Sequence, residues 1–323
     1  MFLVDTHCHL NKEYFPNGLE SAFKNALDND VKGMIFASAD ISSSKEALDY
    51  LAIHKPLPEM KMLAGVHPHE AERAASDYLQ ELEIIAASEH AAAVGEIGLD
   101  YFYDHSPRGV QRKIFSEQIE LAKKLNKPFV ADLYDNFESY GQAKIPLLKN
   151  LFHKALDQAS LVTTTSHSLA KKIRTEHSTV KHVLALPSVI DKALFKVGDQ
   201  QQARQQLNLP LDVPLIGTAG GLTKMKGITD LFRAWEIIKQ RDPQVHLVLA
   251  GPIEAQTPIP QGERVIYLGL LPHHQVVTLF QALDVGVLCI PDDAFGQYCF
   301  PQKAYEMLAT ELTIVSTAVG DMV

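Results

Sequence analysis

The 323-residue chain is short of the features that mark several protein classes. It has only three cysteines, Cys8, Cys289 and Cys299. So few thiols in so long a chain build no disulfide framework, and a reducing compartment, the cytoplasm, is the expectation. No apolar run approaches the roughly 18 residues of a membrane span. The opening MFLVDTHCHL lacks the basic region and long apolar stretch of a secretion signal. The single tryptophan, Trp235, lies in an amphipathic stretch and reads as core. Excess positive charge is absent too. The net charge is −9, with 13 Lys+Arg against 20 Asp+Glu (−7) in residues 1–130 and 17 against 19 (−2) in the rest. That balance argues against non-specific nucleic-acid binding, yet a site that holds metal cations can still handle phosphates.

What is present is an alternation of short apolar runs with longer amphipathic stretches, the pattern of βαβ units on parallel sheets. Strands are expected at 2–7, 33–39, 61–66, 92–98 and 128–133, with helices over 17–29, 43–54, 75–89 and 109–126. Further buried strands are expected at 161–166, 182–187, 214–220, 246–252, 265–270, 285–290 and 313–317. The polar stretch KVGDQQQARQQLNLPLDV (196–213) reads as an interdomain linker. There is no internal repeat. A hydrophobic fraction of 46% and a charged fraction of 21% suit a soluble protein of about two domains.

The sharpest local signal is Asp5-Thr6-His7-Cys8-His9 at the end of the first strand. Residues two apart on a strand face the same side, so His7 and His9 project together. Two neutral imidazoles at a strand end can chelate a metal, although an isolated pair of this kind is more often ordinary surface. Here Gly65-Val66-His67-Pro68-His69 follows the third strand, and Gly95-Glu96-Ile97-Gly98-Leu99-Asp100 closes the fourth. The motifs DTHCHL, GVHPHEA and VGEIGLDYFYDHSPRGVQRKIFSEQIELAKKLNKPFV resemble the TatD family of metal-dependent hydrolases, which are (β/α)8 barrels of amidohydrolase type. The resemblance spans residues 1–130. It implies divalent metal ions held by His7 and His9, with Glu96 bridging to a second ion and taking part in catalysis. It also implies hydrolysis of DNA or another phosphodiester by a metal-activated water. His67 reads either as a group beside that site or as an ordinary core or surface histidine. On the fifth strand Asp132 stands where the family has a histidine, and it is the expected further ligand. The family's later histidine and late aspartate have no counterpart, and half a barrel cannot close its own sheet.

From Ala131 onward the pattern changes. ADLYDNFESYG, LVTTTSHSLAKKI and VLALPSVIDKALF resemble the closing third of the acceptor-side domain of a GT-B glycosyltransferase. PLIGTAGGLTKMKGITDLFRAWEIIKQRDPQVHLVLAGP and the later FPQKAYEMLATELTIVSTAVG resemble the donor-side domain of glycosyltransferase group 1. A strand running into a glycine turn brings backbone N–H groups close to a diphosphate, and Gly220, Gly221 and Lys226 stand at the positions for that task. Pro301, Lys303 and Glu306 match a P-x-K-x-x-E pattern, which implies that Lys303 and Glu306 contact a nucleotide-sugar, Glu306 at its ribose and in the catalytic region. The arginine usual after the first glycine is Gly221 here, and Tyr298 replaces the first glutamate of the family's pair. His273 and His274 read as solvated cap residues.

The fold class expected is α/β, an N-terminal partial (β/α)8-type barrel followed by a Rossmann-like parallel-sheet GT-B donor domain. The expected domains are 1–130 (TatD-like), 131–208 (end of an acceptor-side domain) and 209–323 (donor domain, ending before its closing helices). Three functions compete: nucleotide-sugar-dependent glycosyl transfer, metal-dependent phosphodiester hydrolysis, and a non-catalytic fusion or chimera with both sites incomplete. The first ranks highest because five strands of its donor domain occur in order. An open half barrel is also expected to expose sheet edges that favour self-association.

Overall fold

A computed structural model describes residues 3–9, 18–53, 59–101, 103–128 and 130–323. The chain divides into two compact units, Met1–Phe129 and Val130–Val323. The first unit alternates β1 (Leu3–Cys8), α1 (Leu19–Asp28), β2 (Val31–Phe36), α2 (Ile41–Ile53), β3 (Glu59–Ala64), α3 (Tyr78–Ala86), β4 (Ala91–Val94) and α4 (Arg108–Lys124). Its four strands are all parallel and lie in the order β1-β2-β3-β4. Successive strands of a (β/α)8 barrel lie in this order, whereas a doubly wound sheet begins 3-2-1. Met62, Leu82 and Phe36 are fully buried between the sheet and its helices, and Ile114 and Leu121 of α4 join them.

Gln118, fully buried on α4, holds the loop after β3. Its Oε1 accepts from Val66 N at 2.7 Å and its Nε2 donates to Val66 O at 3.0 Å. A buried amide satisfied on both sides fixes the backbone it bridges. Gly65 allows the ends of β3 and β4 to meet, since a Cβ there would lie 2.8 Å from the Gly95 carbonyl.

The second unit opens with β5 (Val130–Leu133), α5 (Pro146–Asp157), β6 (Leu161–Thr164), α6 (His167–Glu176) and β7 (Val183–Ala185). Their strands form a three-stranded parallel sheet, β5-β6-β7. It continues with α7 (Gln200–Gln206), β8 (Leu215–Ala219), α8 (Ile228–Arg241), β9 (His246–Ala250), β10 (Val265–Tyr267), α9 (His273–Ala282), β11 (Val285–Leu288), α10 (Gln302–Ala309) and β12 (Thr313–Ser316). These five strands are ordered β10-β9-β8-β11-β12, the 3-2-1-4-5 order of a Rossmann-like sheet. Both faces are covered. Leu247 and Leu249 of β9 pack against Trp235 of α8, while Val248 and Ala250 share the opposite core with Phe280 of α9. Two-sided burial explains why β9 reads as a continuous apolar run.

The stretch 196–213 is not a linker. Asp199 caps α7 by accepting from Gln202 N at 2.7 Å, and Ala203 and Leu209 are buried. Arg204 is buried as well, donating to the carbonyls of Ala282, Leu211 and Val213 and to Asp284 Oδ2 at 2.7 Å. The run of glutamines faces outward and hides this anchor from a reading by composition.

Candidate functional site

In the first unit, β1 delivers His7 and His9 to one side of its C-terminal end, and the turn after β4 delivers Glu96. Each offers one ligand atom, all within 4.8 Å of one another. The two Nε2 atoms are 3.2 Å apart, and His7 Nε2 is 3.6 Å from Glu96 Oε2. His9 Nδ1 lies 3.1 Å from Ala37 O. That contact assigns the proton to Nδ1 and leaves the Nε2 lone pair toward His7, the arrangement by which metal-ligating histidines are oriented. Two imidazoles and a carboxylate are a donor set suited to a divalent transition metal. Cys8 lies between the two histidines but belongs to the other face. Its Sγ donates to Ile35 O at 3.4 Å, and burial, helped by the charge of Asp5, pushes its pKa up to about 12. It stays a thiol.

Asp132 is not part of this cluster. It lies on β5 in the second unit, where its Oδ1 accepts from Thr163 Oγ1 at 2.7 Å on neighbouring β6. The register that pairs Asp132 with Thr163 provides it with a hydrogen-bond partner of its own.

His67 caps a 3-10 turn, Pro68–Arg73, with its Nδ1 accepting from His69 N at 3.2 Å. Burial lowers its pKa, against the opposing pull of Glu96, so it is neutral at pH 7. His69 bonds Asp100 through Nε2.

In the second unit a cleft of about 620 Å³ is lined by Gly220, Gly221, Lys226, Lys303 and Glu306 together. Gly220 and Gly221 follow the central strand β8, and Gly220 has φ +108°, a conformation other residues rarely adopt. A Cβ at Gly220 would lie 3.4 Å from Lys303 Nζ, and one at Gly221 3.9 Å from Lys226 Nζ. The two ammonium groups therefore flank the glycine turn. Burial, and next the charge of Lys226, brings the Lys303 pKa down to about 8. Glu306 is 8% exposed and lies 3.6 Å from His273 Nε2. Two cations at a glycine turn, with a buried carboxylate one helical turn along α10 from Lys303, suit an anionic diphosphate carrying a polyhydroxyl group.

His273 was expected to be a solvated cap. It is the first residue of α9, largely exposed, and it lines the cleft beside Glu306. Tyr134, Asp135, Thr165 and Ser188, from the loops of the three-stranded sheet, line the opposite side and are not evident from sequence. Their only local signal is that each follows a strand of that sheet, the end at which α/β sheets bind ligands. Asp292 and Asp293 are occupied locally, accepting from Gln297 Nε2 and from the backbone N–H of Phe295 and Gly296.

The family model of TatD-related DNases matches residues 4–182, and that of glycosyl transferases group 1 matches residues 213–323. The first match runs past residue 130, where the sequence motifs were expected to stop, through β5 and β6. Over 128 residues the chain is 31% identical to the uncharacterized metal-dependent hydrolase YabD of Bacillus subtilis (strain 168), covering 40% of this chain and 49% of that protein. It is 33% identical over 174 residues to the putative teichuronic acid biosynthesis glycosyltransferase TuaC of the same organism, covering 52% and 41%. The chain thus spans about half the length of the curated hydrolases it matches. A solved structure of Anabaena HepE with UDP and glucose aligns with 99% of this chain and 82% of its own, at a TM-score of 0.56 and 16% identity. At that identity the likeness shows the fold, α/β of GT-B type, alone. Residues 4–182 make up more than half of the chain, and through them it belongs to the family of TatD-related DNases, with a glycosyl transferases group 1 segment following at 213–323.

Proposed function

We propose that the second unit binds a nucleotide-sugar and is built for glycosyl transfer. The observation that carries this reading is the pairing of Lys226 and Lys303 at the Gly220-Gly221 turn, in one cleft with buried Glu306, one helical turn after Lys303 on α10. The backbone N–H groups of the turn and the two ammonium groups take the diphosphate. Glu306 accepts hydrogen bonds from ribose hydroxyls. As the bond from sugar to diphosphate breaks, negative charge grows on the leaving group, and cations already in position stabilise it. In domain terms, we assign 131–208 to the acceptor side and 209–323 to the donor side. Titration of the whole chain with UDP in a calorimeter tests the reading. Lys226→Ala should weaken binding by about 1.5–3 kcal/mol, the size of a hydrogen bond to a charged group. No heat from UDP at millimolar concentration would refute it.

A second reading rests on its own observation, the convergence of His7, His9 and Glu96. We propose that residues 1–130 hold a divalent metal and act on a phosphodiester such as DNA. A divalent ion held there would supply a Lewis acid for a phosphoryl oxygen and would lower the pKa of a water. His7 and His9 hold it through Nε2, Ala37 O keeps His9 in the required tautomer, and neutral His67 stands by as a hydrogen-bonding group. His9→Ala should reduce Mn2+ affinity by tenfold or more, while Asp132→Ala leaves it unchanged; unchanged affinity in His9→Ala would remove the site. Leu3 and Val4 lie half exposed on edge strand β1, so association of copies through that edge belongs to the proposal. A molecular mass independent of concentration would count against it.

A further inference from the structure

The outward face of α5 is apolar where a surface helix is ordinarily polar. Helices α5 and α6 cover the same face of the sheet β5-β6-β7. There Leu156 of α5 and Leu169, Ala170 and Ile173 of α6 share one core with Val162 and Val183. On the other side of α5, Leu147 and Leu151 are 67% and 52% exposed, Leu148 is exposed beside them, and exposed Ile145 directly precedes the helix. Leu147, Leu151 and Lys154 recur at the i, i+4, i+7 spacing of one helix face, turned away from Phe152 and Leu156, which pack inward. Single exposed leucines are ordinary. Four large apolar side chains gathered at the start of one helix form a patch, and such a patch marks a contact with something outside the chain.

Lysines border this patch. Lys144 directly precedes Ile145, Lys154 lies one turn beyond Leu151, and Lys171 is exposed on α6, on the side away from buried Leu169 and Ile173. The acids nearby are already engaged. Glu138 accepts from Lys149 Nζ at 2.6 Å and from Lys172 Nζ at 2.9 Å, and Glu176 accepts from Lys172 at 3.0 Å. Asp157 accepts from His177 Nδ1 at 2.8 Å and from Thr179 Oγ1 at 3.1 Å. Among the described residues no acidic group forms an ion pair with Lys144, Lys154 or Lys171. In a chain of net charge −9, these three lysines reverse the sign locally. Two-fold pairing of α5 with a second copy, in either direction, would set lysine against lysine. The outward face of a helix is also a ridge. A rigid protein partner anchors its side chains in pockets, whereas a fluid interface accepts a ridge whose apolar side chains sink below the headgroups.

We propose that the outward face of α5 docks on an anionic lipid membrane, with Ile145, Leu147, Leu148 and Leu151 inserted at the interface and Lys144, Lys154 and Lys171 meeting acidic headgroups. Lysine stems lie along apolar surface while their ammonium groups reach the charged layer, so the two kinds of side chain act together. The attachment is peripheral, since no helix among the described residues is long and apolar enough to cross a membrane. A helix that follows a parallel strand starts at that strand's C-terminal end. The leucines at the start of α5 therefore lie at the end of the sheet from which Tyr134, Asp135 and Thr165 line the cleft. Docking brings that rim of the cleft toward the lipid. The surface is separate from both candidate sites and needs neither to be active.

Flotation of the full chain tests the surface, with vesicles of phosphatidylcholine alone beside vesicles of phosphatidylcholine and phosphatidylglycerol in equal parts. The chain should float with the mixed vesicles and not with the neutral ones, and raised salt should weaken the attachment. Lys144→Gln and Lys154→Gln should each reduce affinity for the mixed vesicles about fivefold. Leu147→Gln combined with Leu151→Gln should reduce it about tenfold or more while leaving the charge untouched. The thermal midpoint should be the same in all variants, because the altered side chains are exposed, which separates lost docking from a damaged fold. No flotation with the mixed vesicles, or undiminished flotation of the leucine double variant, overturns the membrane surface. So does a molecular mass that rises with concentration in the absence of lipid and ceases to rise in the leucine double variant, which would assign the patch to a second copy.

Discussion

Lys303 carries the most consequential charge in the cleft at the Gly220-Gly221 turn. Its side chain is half-buried beside Lys226, and no acidic group among the described residues forms an ion pair with it. Burial and the neighbouring cation bring its pKa from 10.5 to about 8. Two opposite pH effects follow. In the unfolded chain Lys303 stays protonated up to its ordinary pKa, so between about 8 and 10.5 the unfolded state binds more protons and the lysine's contribution to stability rises with pH. Ligand binding moves the other way, since a neutral amine does not attract a diphosphate. UDP affinity should therefore fall as pH rises through 8 and above, with the midpoint displaced upward because a bound anion favours the proton. Lys303→Arg, charged throughout, should flatten that profile in calorimetric titrations. A profile unaffected by this substitution would show that Lys303 does not meet the ligand.

Among the elements, α7 shows how one buried side chain turns a polar segment into structure. Arg204 satisfies three backbone carbonyls and pairs with Asp284, which in turn accepts from Leu215 N at 2.7 Å at the start of the central strand. Arg204→Met would leave these carbonyls unpaired in a closed space. The expected loss is about 3 kcal/mol, read as a lower urea midpoint with an unchanged slope. Gln200→Ala, on the exposed side of the same helix, should cost far less, because its bonds to Leu283 O and Asp284 Oδ1 lie near water. The same contrast holds in α4, where Gln118 and Gln111 stand at inward positions and are bonded on every side.

Across the whole molecule, two units with separate cores carry separate candidate sites. A ligand stabilises the state that binds it, by an amount set by its concentration relative to Kd. Scanning calorimetry should therefore resolve two transitions. Mn2+ should raise only one and UDP only the other, and His9→Ala should abolish the first shift without touching the second. A single transition raised by both ligands would mean that the two units unfold as one.

The sequence by itself determined the elements and the chemistry near each strand end. Every expected strand is present within a few residues, because alternating or continuous apolar runs set a strand's faces locally. His7 and His9 share a side for the same reason, and Gly220 and Gly221 follow a strand that only such a turn could leave. Tertiary structure decided which of these signals meet. Glu96 reaches His7 because β4 lies in the same sheet as β1 and Gly65 lets the ends of β3 and β4 close together. Lys303 reaches the glycine turn although α10 is far away in the chain. Asp132, read as a ligand by its place on the fifth strand, is bonded to Thr163, because β5 pairs with β6 in the three-stranded sheet of the second unit rather than extending the sheet of β1 to β4. Strand order and register are properties of the assembled sheets. A local pattern states what each strand can present, and only the packing states what it is presented to.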